Sequence, residues 1–159
     1  MRHNDSNALR PTDIVYAERL WPAFWMWLVV IGISAAGILI LAPISIVAGF
    51  SAAVVLLVLQ AAFLIMSTPR IEVDASTLTV GRASIERKFI GSAAAFRDDD
   101  AFAQRGPQLN GLAYLCLRGW ISPVVRIEVQ DASDPTPYWL TSTRRPEQLV
   151  AALTASSVE

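Results

Sequence analysis

The chain has 159 residues, of which 53% are hydrophobic and only 17% charged, and its formal net charge is −1. Soluble domains carry about 25% charged residues, so part of this chain is built for an apolar solvent, and the near-neutral balance leaves no basic footprint for nucleic acid. Cys116 is the only cysteine and His3 the only histidine, which excludes an intrachain disulfide and a cysteine-based zinc site and leaves Ser-His-Asp or Cys-His catalysis without a workable base.

Residues 1–20 read as an N-terminal cytoplasmic segment. Between Arg19 and Arg70 there is no Asp, Glu, Lys, Arg or His. A bilayer core needs about 20 apolar residues per helix, so this stretch has room for two spans and not three. The first is expected over 21–42, with Pro22 tolerated in its first turn. Pro43 interrupts the pattern, and the second span is expected over 46–66, ended by Ser67, Thr68 and Pro69. The connection Ala-Pro-Ile-Ser permits only a tight antiparallel turn. The expectation for 21–66 is therefore a transmembrane helical hairpin, with Gly32, Ala36, Gly49 and Ala53 as the small residues that let its helices approach.

Orientation follows from the flanks. Arg2, Arg10 and Arg19 precede the first span, Arg70, Arg82, Arg87 and Lys88 follow the second, and the turn between them carries no charge. The positive-inside rule then places both termini in the cytoplasm, with Trp21, Trp25 and Trp27, beside Arg19 and Arg70, as anchors at headgroup level. A secretory signal is the competing account of the first span, but its apolar run is too long and a second span follows almost at once. Gln60 is the one strongly polar side chain in either span; it offers a hydrogen bond to a neighbouring helix, not a transport path.

From Arg70 the period changes from helix to strand. RIEVD and TLTVGR alternate apolar and polar residues, a short strand surrounds Ile85, and FIGSAAAF predicts a strand to about Arg97. DDDAFAQRG reads as a short helix or loop, GLAYLCLRG as a strand, SPVVRIEVQ as the clearest strand and PYWLTST as the last, before a helix over 144–155. Strands first and a closing helix predict an α+β domain over 70–156, a bent antiparallel sheet capped by that helix. About ninety residues suffice for an independent core, so a fragment 69–159 is expected to fold alone.

Candidate chemistry is sparse. Asp98, Asp99 and Asp100 lack the spacing of a calcium loop and read as a solvated loop or a helix N-cap. Cys116 reads as a core side chain, and Ser142 and Thr143 as helix N-caps. Arg144 and Arg145 fall in the first turn of the last helix, where the dipole is already positive. Two cations there disfavour the helix unless an anion meets them: the readings are internal carboxylates (Asp131, Asp134 or Glu147), plain solvent exposure, or an external phosphate or carboxylate, with Tyr138, Trp139 and Trp120 as candidate parts of the same surface.

The segments YAERLWPAFWMW, RIEVD, TLTVGR and DPTPYWLTSTRRPEQL together resemble an uncharacterised actinobacterial family of small two-span membrane proteins known only as a domain of unknown function. The resemblance spans about 16–153 and implies a bacterial plasma-membrane protein without an assigned activity, cofactor or metal. The strand order of the soluble part is also similar to bacterial pleckstrin-homology-like (PH-like) domains. The expected function is non-enzymatic: an accessory or scaffold subunit of a larger membrane assembly, whose partners are membrane lipids and other integral membrane proteins. The alternative is a sensor of an anionic lipid or phosphate through Arg144 and Arg145.

Overall fold

A computed structural model describes residues 14–155. The chain divides into two compact units: one holds the residues up to Leu20 together with those from Pro69 onward, the other residues 21–68. His3, Arg2 and Arg10 lie outside the described residues.

The apolar unit contains two helices, α1 (Phe24–Leu41) and α2 (Ile46–Met66). Both are long and apolar enough to cross a membrane. The sequence fits these bounds for physical reasons. Pro22 lies just before α1, not inside its first turn, so its missing N–H interrupts nothing. Ser45 caps α2, its hydroxyl accepting from the Ala48 amide at 3.4 Å. The helices approach where side chains are smallest. A Cβ at Gly37 would meet Leu56 Cδ1 at 3.2 Å, and one at Gly49 would meet the Ile38 carbonyl at 3.2 Å. Gly32 faces open space, so Gly37, not Gly32, is α1's close-approach residue. Most large side chains of both helices are exposed, Phe24, Leu39, Val47 and Met66 among them.

The polar unit is mixed α+β. Its first sheet is an antiparallel meander, in the order β1 (Tyr16–Arg19), β2 (Arg70–Val73), β3 (Thr77–Val80) and β4 (Ala83–Glu86). Strand β1 was not anticipated from the sequence. It pairs Tyr16 with Val73 and Arg19 with Arg70, and the Leu20 amide continues the ladder to the Pro69 carbonyl at 3.1 Å. The expected separation of a free segment 1–20 from a domain 70–156 is thereby corrected: residues 16–20 belong to the sheet, and the apolar hairpin is an insertion between two neighbouring strands.

After a 3-10 turn (Arg87–Phe89) come β5 (Ile90–Phe96), α3 (Asp98–Arg105), β6 (Tyr114–Cys116), β7 (Val124–Val129), β8 (Tyr138–Ser142) and α4 (Pro146–Thr154). The second sheet runs β5-β7-β8-β6. Its last pair, β6 with β8, is parallel, which departs from the single antiparallel sheet expected. Strand β8 is buried at every position because both its faces are covered. Trp139 faces one core, built from Ile71, Val73, Leu78 and Val80 of the first sheet, Val125 and Ile127 of the second, and Leu149 and Leu153 of α4. Tyr138 and Leu140 face a smaller one, closed by Ala101 of α3.

One turn fixes the β3–β4 register. Gly81 has φ +65° directly after β3, the conformation required at the first central position of a type II′ hairpin. A Cβ there would make only ordinary contacts, 3.4 Å from Cys116 Sγ, so the cost of Gly81→Ala is conformational. It is expected to lower stability by about 1–2 kcal/mol. Urea unfolding of the two proteins, compared at constant m-value, checks this; an unchanged midpoint would contradict it.

Candidate functional site

The start of α4 is where the sequence raised its question: Arg144 and Arg145 precede the first helical turn expected to hold them, Arg145 as the cap, and the carboxylate beside them, Glu18, meets the Arg144 backbone amide. Glu18, on β1, is buried at 8% exposure. One carboxylate oxygen accepts from the Tyr16 hydroxyl at 2.6 Å and from the Thr143 hydroxyl. The other accepts from the Arg144 amide at 2.9 Å. The Tyr16 and Thr143 hydroxyls also lie 3.2 Å apart. A buried carboxylate is tolerable only when its lone pairs are satisfied, and here three donors from two distant segments converge on it.

Arg145 completes the cluster. Its guanidinium donates to the Ala17 carbonyl at 2.9 Å and lies over the Tyr16 ring, 5.1 Å from the centroid. Its amide donates to the Thr143 hydroxyl oxygen at 3.1 Å. Thr143 therefore satisfies a backbone donor as expected of it, but from two residues before the helix cap, which is Arg145 itself. The phenol of Tyr16 is pushed up to about 12, chiefly by burial and then by its bond to Glu18. It stays a neutral donor across the physiological range, which suits it to holding a carboxylate and not to acting as a base.

The carboxylates expected to answer the arginine pair are engaged elsewhere. Glu147 forms a two-pronged pair with Arg97, both bonds at 2.7 Å; those bonds hold its carboxyl down at about 2. Asp131 accepts from the amide and hydroxyl of Ser133, and Asp134 from the Thr136 amide. The acceptor at the arginines' helix end thus comes from YAER, a segment that contributes no obvious strand pattern. Its signal was the spacing of Tyr16, Glu18 and Leu20, every second residue, with a carboxylate at a core-facing position hiding the alternation.

The aromatic residues grouped with the arginines lie elsewhere. Tyr138 and Trp139 are neighbours on β8 and point to opposite faces, so they cannot share a surface. Trp139 is buried against Tyr114, ring centroids 4.8 Å apart. The Tyr138 hydroxyl accepts from the Asn110 amide at 2.7 Å, and its ring lies under the Arg126 guanidinium at 4.1 Å. Trp120 is half-buried against the main core. Of the candidate interface anchors, Trp21 and Trp25 are exposed and Trp27 is half-buried; Arg19 is half-buried and Arg70 exposed. The three aspartates form the first turn of α3, where negative charge complements the dipole. Cys116 is buried, and burial pushes its thiol up. Among the described residues no group of three or more His, Cys, Asp or Glu side chains can hold a metal ion.

The family described as "Protein of unknown function (DUF3093)" matches residues 15–153, from the start of β1 to the end of α4. No curated protein and no solved structure matches the chain.

Proposed function

The chain belongs to the DUF3093 family, whose description carries no activity, and we propose from its geometry that it is a non-enzymatic accessory or scaffold subunit of a membrane protein assembly. The hairpin α1–α2 anchors it in a bacterial plasma membrane, and the polar unit is a PH-like interaction domain in the cytoplasm. One observation carries this reading: β1 and β2, the segments on either side of the hairpin, are paired in one sheet. Whatever membrane the hairpin crosses, both its flanks stand on the same side, and the arginine bias of those flanks makes that side cytoplasmic. Two sheets enclosing one core with a closing C-terminal helix support the PH-like reading. The cluster around Glu18 supports a structural rather than catalytic use of the best polar constellation in the chain.

The second reading, an anionic lipid or phosphate held by Arg144 and Arg145, has the exposure of both side chains in its favour. Against it, Glu18 already occupies the Arg144 amide and Arg145 is committed to β1, so an external anion would compete with an internal one.

Reporter fusions at both termini are expected to report the cytoplasm, and Ser45→Cys to react with an impermeant thiol reagent from outside. Termini on opposite sides would refute the anchor topology. Purification in mild detergent then separates the two readings: a stoichiometric co-purifying protein supports the scaffold, whereas a retained anionic lipid lost in Arg145→Gln supports the sensor.

A further inference from the structure

We infer that the hairpin pairs with a second copy of this chain across the face that carries Gln60. The inference rests on the reading that α1 and α2 lie in a bilayer. Gln60 sits in α2 roughly 9 Å along the axis from the helix end at Met66, inside the hydrocarbon layer, where no water can serve an amide. Its carboxamide carries two N–H donors and a carbonyl acceptor. The chain itself uses little of this. Nε2 donates to the Ser34 hydroxyl oxygen across a long 3.5 Å contact, while Ser34 donates its own proton to the Val30 carbonyl at 2.8 Å. The Gln60 carbonyl accepts no hydrogen bond from any described residue, and the side chain is only partly buried. An N–H and a C=O are therefore presented at the helix surface in a medium that can satisfy neither.

The occupant follows from that chemistry. No charged residue lies between Arg19 and Arg70, so recognition here is by a neutral donor-acceptor group. A carboxamide is its own complement: across a twofold axis two Gln60 side chains exchange reciprocal N–H···O bonds, and each satisfies what the other lacks. The surrounding shape suits the same partner. Val30, Leu59, Phe63 and Leu64 border a groove of about 260 Å³ next to Gln60. Leu59 and Phe63 are 61% and 71% exposed, so the face that offers the groove also offers side chains to fill its symmetry mate.

Full-length protein, labelled separately with donor and acceptor fluorophores, is reconstituted together into phosphatidylcholine–phosphatidylglycerol vesicles over a range of protein-to-lipid ratios. Energy transfer is expected to rise with protein density beyond the random-proximity level. Gln60→Leu is expected to weaken association about three- to fifteen-fold, the range of interhelical amide bonds in membranes. Gln60→Asn, which keeps both hydrogen-bonding functions, should retain more of it than Gln60→Leu. Val58→Leu, an exposed position bearing no polar group, should leave it unchanged. Transfer at the random level for the wild type, or equal association of wild type and Gln60→Leu, overturns the pairing. Carbonate extraction and Ser45→Cys labelling of the same vesicles keep this apart from the underlying reading: protein that washes off the vesicles sinks the anchor itself, whereas inserted protein with unaltered Gln60→Leu association sinks only the pairing.

Discussion

Replacing residues 21–68 by a short Asn-Gly turn will yield a soluble domain that unfolds cooperatively, whereas the fragment 69–159 alone will not reach that state. The reason is β1. It hands Leu20, fully buried, and Tyr16, at 7% exposure, to the main core, and burying side chains of this size stabilises by about 1.5–3 kcal/mol each. Without it β2 becomes a raw edge, and the start of α4 loses the carboxylate that accepts its amide. Those losses reach the total stability expected of a domain this small, about 5–15 kcal/mol. The register makes the linked variant feasible: Arg19 faces Arg70 and the Leu20 amide reaches Pro69, so the strand ends already stand where a two-residue hairpin would join them. The sequence expectation that 69–159 folds alone rested on strand periodicity and length; the pairing of β1 with β2 leads us to expect the opposite. Thermal melts of both proteins, followed by tyrosine and tryptophan circular dichroism, decide the matter. A cooperative melt of 69–159 at the temperature of the linked protein would show β1 to be dispensable.

Glu18→Gln is expected to cost the folded domain about 2–3 kcal/mol, the scale of hydrogen bonds to a buried charged group, or roughly 10–20 °C in melting temperature. The shape is kept, but the carboxylate accepts from three donors and an amide cannot: its NH2 must face an O–H or N–H that also needs an acceptor. Thr143→Val, alone and combined with Glu18→Gln, should be clearly non-additive, because both remove the same bond. Additive losses would mean that the contacts of the cluster are independent of one another. A pH dependence accompanies this. Tyr16 ionises near 10 in the unfolded chain and about 12 in the folded one. Its neutral form is thus favoured by folding: the contribution is fully present below pH 10 and disappears as pH rises from 10 towards 12. In Tyr16→Phe that particular alkaline loss should be absent, and urea midpoints between pH 9 and 11.5 measure it.

Legibility in the sequence tracked how strongly a pattern was tied to one solvent boundary. The bounds of α2 follow from an apolar run closed by Pro43 and by Ser67 to Pro69, and the strands β2, β3 and β7 from periodicity, since Ile71 and Val73, Leu78 and Val80, and Val125 and Ile127 alternate with polar neighbours. Strand β8 was found by composition, although burial on both faces erased its alternation. The parallel β6–β8 pair was not readable, because strand direction depends on where Leu117 to Pro123 lead the chain. The last helix starts at Pro146, with Arg145 as its cap, two residues later than the sequence places it; that its end calls for an acceptor is legible from charge and dipole. The acceptor's identity is not, since Glu18 is close only through β1, a four-residue strand in which Ala17 and Glu18 have little strand preference. The motifs YAER and TSTRRP each looked self-contained; the contact between them is a property of the fold.

The insertion of the hairpin between paired strands also sets an order of events during synthesis. Glu18 and Thr143 are 125 residues apart, which at 5–20 residues per second separates their emergence from the ribosome by roughly 6–25 s. Through that interval Tyr16 and Leu20 wait for the part of their core that α4 supplies, and, on the proposed anchor reading, the hairpin meets a membrane while the sheet it interrupts is still incomplete. A hairpin inserted with its flanks parted could never close β1 onto β2. On that reading, completion of the sheet would act as a proofreading step for insertion, and a wrongly threaded chain is expected to carry a frayed, protease-accessible domain.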